Sequence, residues 1–227
     1  MYETYSSVET EKSLLSRAFG WMFAGLAITA IVAIGLPFLL VNLSIPVDVY
    51  MTMVLVASVA QIVFMLWINF SVLRHGAAGR NLKLPFFLYA GTMGVLISSI
   101  VLTAGYAIIG QALGLTALAF GSMALYGRYT KSNLTGMGML AVGALVGSLV
   151  LMLFNLFMRS SQLNWVISFV TFGAVMLITA FDVWRIQRIS ENGGNGTNLA
   201  IFFAFQLYVD FIYIFVRIVQ FLAYSRR

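Results

Sequence analysis

The chain has 227 residues, 61% of them hydrophobic and only 9% charged. Soluble domains carry about 25% charged residues, so this composition excludes a water-facing globular surface and points to a multi-span α-helical membrane protein. The net charge of +6 does not indicate nucleic acid, because the basic residues are scattered at the ends of apolar runs. The absence of cysteine excludes thiol chemistry, and a single histidine argues against a zinc or haem site.

Met1–Ser16 reads as a polar N-terminal tail with Glu3, Glu9 and Glu11. It lacks the basic start and short apolar core of a cleavable signal, and an interfacial helix is expected near Glu9–Leu15. Residues 17–227 are expected to form one seven-helix transmembrane domain. The first span is Phe19–Val41, broken by Asn42-Leu43-Ser44-Ile45-Pro46. The second is Val49–Leu73, with Gln61 and Asn69 inside it, followed by a basic loop with Arg74, His75, Arg80 and Lys83. The third is Leu84–Ile109, with Pro85 tolerated in its first turn. Gly110 to Gly114 reads as a short connection to a fourth span around Leu115–Tyr126, followed by Arg128 and Lys131. The fifth is Leu134–Met158, with Asn155 inside and Arg159 after it. Gly91 with Gly94, Gly136 with Gly138, and the GxxxG pair Gly143 and Gly147 read as ordinary close packing between helices.

The last two spans, Leu163–Val183 and Asn198–Tyr224, flank the turn Ser190-Glu191-Asn192-Gly193-Gly194-Asn195-Gly196-Thr197-Asn198. Lys12, Arg17, the second–third loop, Arg128, Lys131, Arg185 and Arg188 all fall on the side of that turn, and the opposite loops hold only Arg159. The positive-inside rule therefore expects the N-terminus and the glycine-rich turn in the cytoplasm. The terminal Arg226-Arg227 conflicts with this if the seventh span crosses fully. Seven crossings are preferred over a re-entrant segment.

Each of the last two spans carries one carboxylate, Asp182 and Asp210, and the two are equidistant from residue 196. In an antiparallel helical hairpin they lie at similar depth, up to about 20 Å from the turn. Ionisable groups inside a membrane are costly, and their default reading is functional. Gln206, Asp210, Tyr213 and Arg217 recur at steps of four, three and four, on one helix face. Thr179, Asp182 and Arg185 share a face of the sixth helix. A polar stripe cannot cheaply face lipid, so the seventh helix is expected to be central, with the stripe lining a seam. Adjacent carboxylates do not both ionise easily and can share a proton, which makes a pH sensor without histidine. Deprotonated, the pair offers hard oxygens suited to Ca²⁺, and two side chains make only a weak transit site. No cofactor is expected beyond Ca²⁺ as the transported ion. Arg74 either plugs the cytoplasmic mouth by pairing with the carboxylates or snorkels. Arg185 competes as a local partner for Asp182. A structural role, with the aspartates pinning two helices together, stays open beside the functional one.

Thr179-Ala-Phe-Asp182 with a following basic residue, and Leu207-Tyr-Val-Asp210-Phe-Ile-Tyr-Ile-Phe, resemble the signature of the Bax inhibitor-1 (transmembrane Bax inhibitor motif) family. Gly20-Trp-Met, Ala60-Gln61, Ala119-Phe-Gly-Ser-Met-Ala-Leu-Tyr-Gly127 and Thr130-Lys131 extend the resemblance over nearly the whole chain after residue 17, toward the bacterial branch. The resemblance implies six helices around a central C-terminal helix, and a pH-sensitive Ca²⁺ leak through a di-aspartyl centre, Asp182 and Asp210. The arginine that helps close it is best matched by Arg74. Some members carry an acid within the second helix, where this chain has Ser58 and Gln61 and no acid. The expected place is an inner or plasma membrane, with the lipid bilayer, Ca²⁺ and protons as partners. The alternative the resemblance implies is a non-transporting regulator of membrane proteins, such as an AAA protease or cell-death factors. An intramembrane aspartyl protease also places one Asp on each of two helices. Its second Asp typically follows Gly-x-Gly, whereas Asp210 follows Leu207-Tyr-Val, so an enzyme is not expected.

Overall fold

The computed structural model describes residues 13–75 and 81–224. Among these there are seven α-helices and no strand: α1 (Leu14–Asn42), α2 (Val47–His75), α3 (Lys83–Ala104), α4 (Tyr106–Tyr129), α5 (Thr135–Met158), α6 (Ser161–Glu191) and α7 (Thr197–Tyr224). All seven are long and apolar enough to cross a membrane. The shortest, α3, has 22 residues and rises ~33 Å, against a hydrocarbon core of ~30 Å.

The helix ends follow from local chemistry. Ser13 caps α1 by accepting from the Ser16 amide, and Ser160 caps α6 by accepting from the Leu163 amide, both at 3.3 Å. Asp48 stands in the first turn of α2, where a negative charge favours the helix dipole. α6 continues two turns beyond Val183, and Glu191 receives hydrogen bonds there from Gln187 (3.1 Å) and Arg188 (3.2 Å). Gly193, at φ +80°, then turns the chain toward α7.

The expected break between the third and fourth spans is corrected. Gly110 and Gly114 lie inside α4, and the break is at Gly105, whose φ of +78° is open to glycine and strained for other residues. Of the expected interfacial helix, residues 9–12 lie outside the described set; Leu14 and Leu15 belong to α1 and are buried. α7 is one unbroken helix of 28 residues, rising ~42 Å, so the re-entrant alternative is set aside.

α7 is the most enclosed helix. It packs against α1, α3, α4 and α6, and buries Phe203, Phe205, Leu207, Tyr208, Ile212 and Phe215 around its circumference. The ring of six helices implied by the resemblance is therefore open. Four helices touch the centre, while α2 packs chiefly on α3 and α5 chiefly on α6. α4 approaches α6 so closely at Gly127 that a Cβ there would overlap the Ala180 backbone. Gly94 and Gly138 also pack tightly, against Val32 and Phe181. Gly91, Gly136, Gly143 and Gly147 do not: nothing lies within 4 Å of where their Cβ would be, so the GxxxG pair is not an intramolecular packing motif.

Candidate functional site

The α6–α7 hairpin brings Asp182 and Asp210 together. Both are buried, at 7% and 8% exposure, on facing helices, and Thr179, one turn before Asp182, reaches Asp210 across the seam. Thr179 lies one turn before Asp182, fully buried. Its Oγ1 sits 2.9 Å from the Val175 carbonyl and 3.4 Å from Asp210 Oδ2, so one hydroxyl proton is shared between a helix carbonyl and the partner helix's carboxylate.

The polar stripe of α7 faces α6, as its spacing predicts. Asp210 meets Thr179. Two turns further on, Arg217 donates from Nη1 to Ser168 at 3.2 Å and to Gln220 at 3.1 Å, and from Nε to Tyr213 at 2.9 Å. The guanidinium also lies 5.2 Å from the Tyr213 ring centroid. It stands beside a cavity of about 400 Å³ lined by Asn164, Trp165, Ser168, Gln220 and Phe221. Gln206, one turn before Asp210, is half-buried, and its Oε1 is a buried acceptor without a partner.

Among the described residues the one ion pair is Arg188–Glu191, exposed and at 3.2 Å, so neither aspartate is neutralised by contact with a cation. Arg185 is exposed, 5.8 Å from the Phe203 ring centroid, one turn after Asp182 on the same helix, and forms no ion pair with it. Arg74 is exposed in the last turn of α2 and makes no ion pair with either carboxylate. The structure therefore brings together Thr179, Asp182 and Asp210, with Arg185 and Gln206 alongside, and leaves the expected plug by Arg74 unformed. No group of three or more His, Cys, Asp or Glu side chains that could hold a metal occurs among the described residues.

The expected cytoplasmic segments lie at one end of the bundle. Arg17 donates to Asn195 and, at 2.9 Å, to Thr197 in the glycine-rich turn. The Leu82 amide donates to Asn198, and Lys83 lies 5.6 Å from the Trp21 ring centroid, near the start of α1. Arg128, Lys131 and Arg188 share another cavity.

Thr29 and Tyr208 escape a reading of the sequence. Thr29 Oγ1 lies 2.6 Å from the Tyr208 hydroxyl, 2.9 Å from the Ala90 carbonyl and 3.0 Å from the Gly25 carbonyl, tying α1, α3 and α7 together. Tyr89 and Phe86 close edge-on against the Tyr208 ring. No local spacing links residues so far apart in the chain. Gln61 accepts from Thr92 at 2.7 Å and so joins α2 to α3. Asn155 accepts from the Ser160 amide at 3.0 Å and shapes the α5–α6 turn.

Seven apolar helices, with a pair of acids on the most enclosed seam, define a multi-pass α-helical membrane protein. The family model described as "Inhibitor of apoptosis-promoting Bax1" matches residues 11–227, and the chain belongs to this Bax inhibitor-1 family. It is 27% identical over 216 residues to the inner membrane protein YbhL of Escherichia coli K12, covering 92% of this chain and 90% of that one. It is 30% identical over 219 residues to an uncharacterized protein of Deinococcus radiodurans, covering 92% and 90%. Over 147 residues it is 33% identical to an uncharacterized protein of Rickettsia prowazekii, covering 63% and 62%.

Proposed function

We propose that the chain is a pH-sensitive Ca²⁺ leak channel or Ca²⁺/H⁺ exchanger in which Asp182 and Asp210 bind the ion in transit and share a proton when it is absent. The observation that carries this reading is two carboxylates buried on facing helices with no ion-pair partner among the described residues. Leaving two acids uncompensated inside a bundle is costly unless a proton or a cation joins them. A deprotonated pair attracts a hard divalent cation. A protonated pair does not. With only two side-chain carboxylates the hold is weak, which lets the ion leave.

Gln206 lines the route on the side of the glycine-rich turn, Tyr213 and Arg217 on the other. Arg185 supplies the nearest counter-charge. Closure by Arg74 belongs to an arrangement in which α2 moves inward. The basic end is the cytoplasmic one by the positive-inside rule, and the likeness to YbhL supports an inner membrane.

A second reading, a non-transporting regulator of other membrane proteins, is favoured by one observation. The glycine face of α5, with Gly143 and Gly147, is open and unused within the chain. Purified chain in protein-free liposomes separates the two. Ca²⁺ release above that of empty liposomes is the outcome expected of a transporter; none, together with a recovered membrane partner, favours the regulator.

A further inference from the structure

At the end of the bundle opposite the glycine-rich turn, the α6–α7 seam opens into the cavity of about 400 Å³ beside Arg217. Its walls include Asn164, Trp165 and Ser168 of α6 and Gln220 and Phe221 of α7. Arg217 is the single charged side chain among the residues that line it. The guanidinium does not swing free, as that of a snorkelling arginine does. It donates to Tyr213, Ser168 and Gln220 at 2.9, 3.2 and 3.1 Å, and it lies against the Tyr213 ring. Among the described residues it has no acidic partner. Asp210 stands seven residues back on the same face of α7, about 10 Å along the helix.

A mouth that gathers Ca²⁺ presents carboxylates, because a lining of one sign concentrates ions of the other. This mouth presents a cation, anchored from both helices. The inference rests on the reading that the aspartate seam conducts. We propose that Arg217 is the residue that limits Ca²⁺ passage. Its fixed positive charge repels divalent ions before they reach Asp182 and Asp210, and so keeps the leak small. Repulsion scales with the charge of the ion, so the barrier to a divalent ion is twice that to a monovalent one.

Ca²⁺ and Na⁺ fluxes into liposomes containing the full chain test this. Arg217→Gln should raise Ca²⁺ flux roughly threefold to tenfold, and Na⁺ flux by only about the square root of that factor. Arg217→Lys keeps the charge without the forked hydrogen bonds and should restore the low Ca²⁺ flux. Asn164 is exposed on the α6 wall. Asn164→Asp adds a negative charge there, leaves the partners of Arg217 in place, and should also raise Ca²⁺ flux. A purely structural tie between α6 and α7 predicts that Arg217→Gln and Arg217→Lys behave alike and that Asn164→Asp changes nothing. That result would overturn the barrier, as would an equal rise for Na⁺ and Ca²⁺. Wild-type Ca²⁺ flux that neither Arg217→Gln nor Asn164→Asp raises overturns the barrier alone. No flux above that of empty liposomes from any of these chains overturns the transport reading with it.

Discussion

Thr179 on α6 and Asp210 on α7 meet across the hairpin seam, hydroxyl to carboxylate, at 3.4 Å. Asp182 lies one turn along the same face of α6, so this contact marks where the two acids converge. Thr179→Val keeps the shape and removes the hydroxyl. A shared hydrogen bond is worth about 1 kcal/mol or less, so Ca²⁺ flux in liposomes should change by no more than about fivefold, with Thr179→Ser close to wild type.

Arg185 and Arg74 should separate in their effects. Arg185 stands one turn after Asp182 on the same face of α6, whereas Arg74 lies on α2, which packs chiefly on α3; neither forms an ion pair with the aspartates. Removing an exposed, screened charge is worth at most about 1 kcal/mol, so Arg185→Ala should raise apparent Ca²⁺ affinity by roughly twofold to fivefold. Arg74→Ala should leave that affinity unchanged and raise the leak under conditions that close the wild type. Calcium titrations and flux assays on the two variants check this, and equal shifts in affinity would count against the assignment.

Two glycines make opposite predictions for stability. A Cβ at Gly127 would meet the Ala180 backbone, and overpacking of that kind costs about 1–3 kcal/mol, so Gly127→Ala should lower the melting temperature in detergent. Gly147 sits in α5 with open space around it, and replacing a mid-helix glycine by alanine gains up to about 1 kcal/mol. Gly147→Ala should be neutral or stabilising. A fall for Gly147→Ala equal to that for Gly127→Ala would show that the open face is covered.

Tyr208→Phe removes the hydroxyl 2.6 Å from Thr29 and leaves the ring against Phe86 and Tyr89. Thr29 keeps two carbonyl acceptors, so the cost should be about 1 kcal/mol, read as a modest drop in melting temperature. Tyr208→Ala also removes the ring and should cost several times more, since aromatic truncation in a core costs about 3–5 kcal/mol.

The sequence was legible wherever one chemical preference dominated. Long apolar runs set seven spans, and the steps from Gln206 to Arg217 identified the face of α7 that meets α6. The basic residues at span ends grouped at one end of the bundle. Gly105 was hidden because Gly110 and Gly114 offered a more conspicuous cluster, yet glycine tolerates a helix interior and only the positive φ marks a break. Arg74 looked like a counter-charge because end-of-span position gives depth but not azimuth, and α2 lies outside the layer touching α7. The Thr29–Tyr208 contact has no signature in the chain, since it depends on how α1, α3 and α7 stack.

The central claim is that Asp182 and Asp210 together bind and release Ca²⁺ as they exchange a proton. Ca²⁺ flux against pH, measured in liposomes containing the purified chain with Asp210→Asn beside wild type, tests it most directly. The account predicts a pH-dependent flux in the wild type, and in the variant a flux that is strongly reduced and no longer varies with pH. Wild-type flux with unchanged pH dependence in Asp210→Asn would contradict it.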